Sequence, residues 1–396
     1  MNNTNSNYRF SYETRMNTGV LLLLNSPSFM KFGIDMSEWT IGAKFMGIKL
    51  IPLGIHYISF SLKDEDYQMK QGFFISITSK SLNVVRKWSD KAQAFLPLKE
   101  EDDTNFKIGI SNLDFDKNLG DYPITQQSTW KDLSSYITNL TISNIQPDLI
   151  KYISINTEYD NNTNNNNDVI PNELNFTDIP MKVFNNVSSL LSPEQVTKMN
   201  IDKTQTLSNI IKSSYNDNIN ELLGELQIAF VTFIIGEKYE SLMHWKNMLM
   251  LLTSCEKGIH KYVDLYCKFI EVFYNQLRNV PKDIFYDEII GNNFLRRVLD
   301  NFILGISESE GVNEGVMKRM KLFRKFLKEY FKYEVLSEEE RVIEMYRKGN
   351  SDYYFGNNDV DDDLPVIVDE EEIKQFNERN KKEINNNQNV DVIMDD

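Results

Sequence analysis

The sequence predicts an α+β protein with an N-terminal antiparallel β-sandwich-like domain, a C-terminal all-helical domain and an acidic tail. Three observations lead to this fold class. Short apolar runs punctuated by Gly and Pro fill residues 18–110, and residues 192–333 carry apolar side chains at steps of three and four. Residues 359–396 hold 13 acidic and 4 basic side chains, which is −9 of the net charge of −15. Short punctuated runs are typical of strands, and steps of three and four are typical of amphipathic helices.

Changes in composition place the domain boundaries. We predict a disordered lead at 1–17, a β-rich domain with a helical linker at 18–156, and an Asn-rich disordered loop at 157–174. The helical domain then covers 175–333, and an acidic, largely disordered tail covers 334–396. The centre of the loop has no apolar side chain to bury, which favours disorder.

Six runs in the first domain predict strands, and two of them alternate clearly. Phe73, Ile75 and Ile77 fall on one face of their run, and residues 106–110 repeat this period of two. After the strands, Trp130 and the apolar residues up to Leu140 predict one helix that packs on the sheet. The predicted strands are 20–24, 48–51, 55–60, 72–78, 83–88 and 105–110.

Charge and residue supply exclude several classes of function. A net charge of −15 and a sequence pI near 4.9 argue against a generally basic nucleic-acid-binding surface, because phosphate contacts need concentrated Lys and Arg. The three histidines, His56, His244 and His260, have no partner at metal-ligand spacing. The sequence contains no phosphate-binding glycine loop and no serine-nucleophile motif. We therefore predict a protein that is not an enzyme, with no catalytic residue, metal, cofactor or small-molecule substrate.

Cysteine content and apolar run length indicate the environment. Two cysteines cannot build a secreted disulfide framework, so we expect buried thiols in a reducing compartment. The longest apolar helical run, residues 226–236, is about half of the roughly 20 residues that cross a bilayer. We expect no membrane contact.

A basic run in the helical domain leaves alternatives open. Its cations alternate with apolar residues on a predicted helix, which fits RNA contact, nuclear import or a solvated face that attracts the acidic tail. The same run is the support for an alternative function, a trafficking adaptor whose helical domain binds peptide or lipid. The basic residues are Lys318, Arg319, Lys321, Arg324, Lys325 and Lys328.

Residues 32–56 carry a dense motif that resembles a known family. The segment contains FGID, a tryptophan, GxKFxGxK, IP and GIH in that order. NLGDYP follows later in the chain, ahead of Trp130, and the helical half contains LGELQIAF, HWK and YNQL before a proline. This series resembles the A1 cistron splicing factor family, AAR2, over residues 18–333, with the Asn-rich loop as an insertion. Residues 364–368, LPVIV between acidic residues, resemble the acidic-PVVV terminus of the family.

The resemblance implies a non-catalytic pre-mRNA splicing factor that chaperones assembly of the U5 small nuclear ribonucleoprotein. Such a protein pairs a β domain with a helical domain resembling VHS domains. It binds the C-terminal RNase H-like and Jab/MPN domains of the large scaffold protein, pre-mRNA-processing factor eight, and holds off the helicase that later occupies that surface. It contacts RNA only indirectly, and its expected location is cytoplasmic and nuclear.

The resemblance also nominates site residues. In the motif, glycines and Pro52 suit tight turns, so we expect the fold to need them and expect exposed Asp35, Lys44 or Lys49 to contact the partner. The motif residues considered as possible partner contacts are Phe32, Gly33, Asp35, Trp39, Lys44, Lys49, Pro52, Gly54 and His56.

The apolar pentad of the tail is the second nominated site. An extended apolar segment flanked by charge can add as a strand to the edge of a partner sheet. Docking of the pentad on the helical domain of the same chain is the alternative. The pentad consists of Leu364, Pro365, Val366, Ile367 and Val368.

Overall fold

The structure, a computed structural model, describes residues 17–62, 70–146, 174–180, 201–280, 294–333 and 335. By its internal contacts the chain divides into two units, and every described residue belongs to the unit formed by Met1–Tyr286 and Phe294–Val335. The predicted lead at 1–16, the Asn-rich loop up to residue 173 and the apolar pentad at 364–368 lie outside the described residues.

The first domain is built from two sheets, and the α+β fold class is confirmed. One sheet has the strand order β8-β7-β1-β4-β9 and the other has the order β3-β2-β5-β6. Strands are present at five of the six predicted runs. The strands are β1 (Thr18–Leu24), β2 (Lys31–Ile34), β3 (Ser37–Thr40), β4 (Gly47–Pro52), β5 (Gly54–Ser61), β6 (Gln71–Ile77), β7 (Asn83–Ser89), β8 (Ala94–Leu96) and β9 (Gly120–Asp121).

Strand β1 is buried on both faces, which explains its run of four leucines. Leu21 and Leu23 face the core between the sheets, while Leu22 and Leu24 face a second cluster with Val85. A central strand covered on both sides needs apolar residues at every position. Neighbouring β4 approaches β1 closely at Gly47, whose φ is +129° and where a Cβ atom would lie 1.9 Å from the Leu21 carbonyl oxygen. Only glycine fits there.

The prediction of a wholly antiparallel sandwich is wrong for the first sheet. Strand β7 runs parallel to β1, and β9 runs parallel to β4. The second sheet is antiparallel at each of its three pairings. The chain leaves β6 at the edge of one sheet and enters β7 inside the other sheet. There β7 lies beside β1 and runs in the same direction.

The predicted strand at 105–110 is also wrong, because these residues lie in helix α1 (Glu100–Ser111). Four acidic residues occupy the first turn of α1, where the helix dipole favours negative charge. Ile110 is buried, whereas Ile108 is 55% exposed. The apolar residues at positions 106 and 110 are about one helical turn apart. They therefore lie on one face of α1, and the alternation in the sequence does not mark a strand.

The single helix predicted around Trp130 is two helices, α2 (Gln127–Ser134) and α3 (Asn139–Ile145). Thr138 interrupts the run as the N-cap of α3. Its hydroxyl accepts from the Thr141 amide at 3.0 Å, and its own amide donates to the Thr141 hydroxyl at 3.3 Å. This capping box favours a new helix start over continuation of α2.

The helical domain surrounds one central helix. Residues 222–232 of α5 are all buried, so this helix is covered on every side. Helices α2, α3, α4, α6 and α8 pack against it, and α10 packs on α8. The helices are α4 (Thr204–Tyr215), α5 (Ile219–Ile234), α6 (Tyr239–Thr253), α7 (Gly258–Lys261), α8 (Val263–Arg278), α9 (Phe294–Glu308) and α10 (Glu314–Phe331).

Candidate functional site

Asp35 is the centre of a buried polar cluster in the first domain. It lies between β2 and β3 with φ +54° and is 1% exposed. Its Oδ2 atom lies 2.7 Å from His56 Nδ1 and accepts from the Tyr122 hydroxyl at 2.7 Å, while Oδ1 accepts from the Tyr57 amide at 3.0 Å. The expectation that Asp35 is exposed is therefore wrong.

His56 connects this carboxylate to the next strand. Its Nε2 atom lies 2.9 Å from the Pro52 carbonyl oxygen, so the ring bridges the Asp35 carboxylate and the main chain at the end of β4. Burial and the Asp35 carboxylate raise the pKa of Tyr122, which keeps its hydroxyl a donor. The cluster is 2% exposed at His56 and 5% at Tyr122, so it has the geometry of a structural network rather than of a solvent-open catalytic site.

Trp130 extends this network to helix α2. Its indole Nε1 donates to the Ile55 carbonyl oxygen at 2.7 Å, and its ring lies nearly parallel to that of His56. Residues from the FGID, GIH and NLGDYP motifs and the following tryptophan thus meet at one place. We name Asp35, His56, Tyr122 and Trp130 the Asp35 cluster.

Lys49 is held by acidic neighbours. Its ammonium lies 2.8 Å from Asp116 Oδ2 and 3.9 Å from Asp121 Oδ1, and it donates to the Asp116 carbonyl oxygen at 3.1 Å. The side chain is half-buried. These contacts join β4 to the turn that leads into β9, so Lys49 has a structural partner.

Three of the nominated motif residues remain exposed. Trp39 is 40% exposed on β3, an edge strand, and Lys44 and Gly54 are exposed as well. Lys44 makes no ion pair with the described residues. Pro52 is half-buried, while Phe32 and Gly33 are buried. Trp39 and Lys44 are thus the large side chains of the motif that reach solvent.

The LGELQ motif joins the two domains. Gln227 on α5 accepts from the Tyr136 amide at 2.7 Å and donates to the Asp132 carbonyl oxygen at 3.3 Å. Gly224 lies so close to the first domain that a Cβ atom would sit 2.5 Å from the Tyr136 carbonyl oxygen. Glu221 adds a contact of 2.6 Å from the Thr141 hydroxyl. Helix α5 is therefore docked on the α2–α3 pair through polar contacts from the motif and from Glu221, which precedes it.

Glu225, in the same motif, holds residues 174–180, which we name the strap. Its carboxylate accepts from the Thr177 amide at 2.7 Å and the Thr177 hydroxyl at 3.0 Å, and it lies 2.8 Å from His244 Nε2. Phe176 stacks on the His244 ring, with centroids 4.3 Å apart. Burial raises the pKa of Glu225, but the contacts with His244, Thr177 and Tyr215 outweigh it and leave this pKa below its ordinary value.

Further motif residues bind each other inside the helical domain. Trp245 Nε1 donates to Gln276 Oε1 at 2.9 Å, and Gln276 Nε2 donates to the Leu226 carbonyl oxygen at 3.3 Å. All three residues are almost fully buried. The HWK and YNQL motifs therefore fix the packing of α5, α6 and α8.

Two family models match the chain, one in each domain. The AAR2 N-terminal domain matches residues 17–147, and the AAR2 C-terminal repeat region matches residues 176–336. Together they cover about three-quarters of the sequence. The chain belongs to the AAR2 family.

Curated AAR2 relatives match along most of their length. Protein AAR2 homolog of Mus musculus is 29% identical over 354 residues, which is 81% of this chain and 91% of the relative. Protein AAR2 homolog of Homo sapiens is 28% identical over 359 residues, with the same coverage. A relative from Saccharomyces cerevisiae, named A1 cistron-splicing factor AAR2, is 22% identical over 290 residues, 68% of this chain and 78% of the relative.

The described residues were also compared with the requirements of a metal site and of a membrane span. In the part of the chain that the structure describes, no three His, Cys, Asp or Glu side chains are grouped so as to hold a metal ion. Within the same residues, no helix combines the length and apolar character that a membrane crossing requires.

Sequence analysis of this AAR2-family chain placed Tyr122 and Glu225 in motifs without assigning them a role, and it did not single out Glu221. One signal could have indicated the role of Glu225, because it is the charged residue in the buried helical run between Leu222 and Val231. A charged residue inside a fully buried helix needs a partner. Which residue supplies that partner could not be read from spacing, since Thr177 is 48 positions away.

Proposed function

We propose that this AAR2-family chain is a non-catalytic pre-mRNA splicing factor that assists assembly of the U5 small nuclear ribonucleoprotein. In this role it binds the C-terminal RNase H-like and Jab/MPN domains of pre-mRNA-processing factor eight and blocks premature helicase binding. It contacts RNA only through that complex and works in the cytoplasm and nucleus. The observation that carries the proposal is the match to both AAR2 domains together with a yeast relative named as a splicing factor.

The geometry of the motifs supports a binding role rather than chemistry. Asp35, His56 and Tyr122 are residue types found in catalytic groups. Here each of them makes a buried hydrogen bond within the fold. Glu225 and His244 likewise hold the strap. A rigid two-domain body held by such networks is well suited to present a fixed surface to a partner.

We further propose that Trp39 and Lys44 contact the scaffold protein. Both are exposed, and Trp39 lies on edge strand β3. Tryptophan is enriched at the energetic centres of protein interfaces because it buries a large apolar area with few rotamers. Asp35 and His56, by contrast, have no exposed surface to offer.

The direct test is complex formation on a size-exclusion column. Purified full chain, treated with nuclease, is mixed with the two C-terminal domains of the scaffold protein, and the helicase is then added. We expect one stable complex that survives nuclease and that excludes the helicase. Absence of a complex, or a complex that disappears with nuclease, contradicts the proposal.

Deletion of residues 359–396 tests the tail. We expect the truncated chain to retain one scaffold domain and to lose the other, because the pentad at 364–368 would add as a strand to a sheet edge of that domain. The readout is the content of each eluted peak. A matched control replaces the acidic residues outside 361–372 by their amides and leaves the pentad intact. Equal binding of both domains by the full and truncated chains contradicts the role of the pentad.

The trafficking-adaptor alternative retains one favourable observation. Lys318, Lys321 and Arg324 are exposed on α10 and make no ion pair with the described residues. Flotation with anionic liposomes separates the two functions. A splicing factor stays at the bottom of the gradient, and an adaptor that reads lipid floats.

A further inference from the structure

A groove on the first domain lies apart from every motif described above. Its volume is about 590 Å³, within the range of ligand-binding sites, which is roughly 300–1,000 Å³. Edge strand β6 forms one wall, and β7, α1 and α3 form the others. The lining is mixed: Phe74, Val84 and Ile142 are apolar, and Arg86 and two lysines outnumber the carboxylates of Glu100 and Asp103. We name this cavity the β6 groove.

Arg86 is a half-buried cation at this groove, and it makes few polar contacts with the described residues. Its Nη1 atom donates to the Val85 carbonyl oxygen at 2.9 Å, and its guanidinium lies 5.9 Å from the centre of the Phe73 ring. An arginine has five N–H donors, so most of them lack an acceptor among the described residues. Burial lowers the pKa of Arg86, and the charge of Asp103 opposes this shift in part.

The acidic group whose charge acts on Arg86 already has a partner of its own. Asp103 on α1 acts on Arg86 at a distance, but its Oδ2 atom lies 2.6 Å from the Lys107 ammonium. No carboxylate among the described residues comes within ion-pair distance of Arg86. A half-buried cation without a paired anion is unfavourable in the free protein, and an anionic ligand would compensate it.

The β6 edge adds a second feature. Among the described strands, β6 pairs with β5 alone, so its other edge carries main-chain groups without a strand partner. Gln146 donates to the Gly72 carbonyl oxygen at 3.4 Å at the start of the strand. Phe74, Ile75 and Ser76, which line the groove, make no main-chain hydrogen bond outside the β5 pairing in the described part of the chain. Free strand edges bind extended peptides through main-chain hydrogen bonds.

We propose that the β6 groove binds an extended acidic peptide of a partner protein, which adds as a strand to β6 and pairs a carboxylate with Arg86. The β6 edge, which has no second partner among the described strands, selects an extended main chain. Apolar lining residues such as Phe74 and Ile142 take alternate side chains, and the guanidinium selects an acidic residue. This site is independent of the proposed splicing role, and its test uses no scaffold domain.

The test is a fluorescence anisotropy titration of the full chain with a short labelled peptide of alternating Val and Glu. We expect saturable binding, and we expect the same peptide with Gln in place of Glu to bind about tenfold more weakly or worse, because a charge-assisted bidentate pair is lost. A peptide methylated on alternate main-chain nitrogens should not bind, since it cannot pair with β6. Free glutamate should not compete.

Variants at β7 supply the matched controls. Arg86→Met should weaken peptide binding about tenfold or more, whereas Lys87→Met, at the exposed next position, should leave it unchanged. The melting temperature of free Arg86→Met should equal or exceed that of the wild type, because an unpaired half-buried charge is removed. Arg86→Lys, which keeps the charge and loses the fork, gives an intermediate affinity and serves if Arg86→Met does not fold.

Several results would overturn the site. These are no binding by the wild type, equal binding of the Glu and Gln peptides, binding that is unchanged in Arg86→Met, and competition by free glutamate as strong as by the peptide. A melting temperature that falls in Arg86→Met with peptide affinity intact would assign Arg86 to the fold alone.

Discussion

Replacing Asp35 by alanine is expected to lower the free energy of unfolding by about 3–5 kcal/mol, because each buried donor left without an acceptor costs about 1–3 kcal/mol. Three donors, from His56, Tyr122 and the Tyr57 amide, would lose their acceptor inside the core. Small domains have a total stability of about 5–15 kcal/mol, so the first domain would be close to unfolding. Urea denaturation followed by tryptophan fluorescence measures this loss.

Two further variants sharpen the result. Asp35→Asn keeps a residue type that tolerates the positive φ of this position but removes the charge, so it should still lose about 1.5–3 kcal/mol. Asp114→Ala, at an exposed aspartate, should change the unfolding free energy by less than about 0.5 kcal/mol. A loss below about 1 kcal/mol in Asp35→Ala, less than one ordinary hydrogen bond contributes, would show that the Asp35 cluster does not hold the sandwich together.

Replacing Glu225 by alanine is expected to have an effect of similar size on the helical domain, about 3–5 kcal/mol. The Thr177 amide and hydroxyl would lose their acceptor, and the His244 ring would lose the carboxylate that lies 2.8 Å from its Nε2 atom. The strap should then loosen around Thr177, whose amide and hydroxyl both donate to Glu225, while the bond from the Asn175 amide to the Ile145 carbonyl oxygen at 2.8 Å holds its start. Amide exchange at Thr177 should accelerate more than at the core of α5, which reports local release rather than global unfolding.

The pH dependence of Glu225 follows from its lowered pKa. A carboxyl whose pKa is lower in the folded state contributes stability that is complete above its unfolded-state pKa, here about 4.5, and is lost as pH falls through the folded-state pKa. The stability difference between wild type and Glu225→Gln should therefore be largest near neutral pH and should shrink below pH 4.5. Glu329→Ala, at an exposed residue of α10, is the control and should show no such trend. A difference that stays constant down to acid pH would mean that the carboxylate is not the stabilising form.

Much of the sheet could be predicted from the sequence because strand signals are local. Short apolar runs between turn residues place β1 and β4 to β7, and the run of leucines in β1 reflects burial on both faces. Parallel pairing was not predictable in this way, since the direction of β7 beside β1 depends on where the chain crosses between sheets. At α1 the apolar residues at 106 and 110 fit both a strand with a period of two and one turn of a helix. The four acidic residues of the first turn favour the helix.

The motif residues themselves were found, but their roles were not. Asp35 and His56 are 21 positions apart, Trp130 and Ile55 are 75 apart, and Gln227 and Tyr136 are 91 apart. Sequence spacing carries no information on such pairings. Motif residues that form buried hydrogen bonds therefore could not be distinguished from exposed ones by sequence alone. Burial in the structure separates them, and it leaves Trp39 and Lys44 on the surface. The β6 groove was missed for the same reason, because its walls come from elements that meet only in the fold.

The most direct test of this account is the affinity of the full chain for the two C-terminal domains of the scaffold protein, measured by titration calorimetry for two variants. The Trp39→Ala, Lys44→Ala double variant should keep its wild-type unfolding free energy and bind about tenfold more weakly or worse, as expected for loss of an interface tryptophan. Trp130→Phe, which loses the bond to the Ile55 carbonyl oxygen, should lose about 1 kcal/mol of stability and bind normally. Normal binding by the surface variant, together with weakened binding by folded Trp130→Phe, would contradict the separation of fold-bearing and partner-contacting residues.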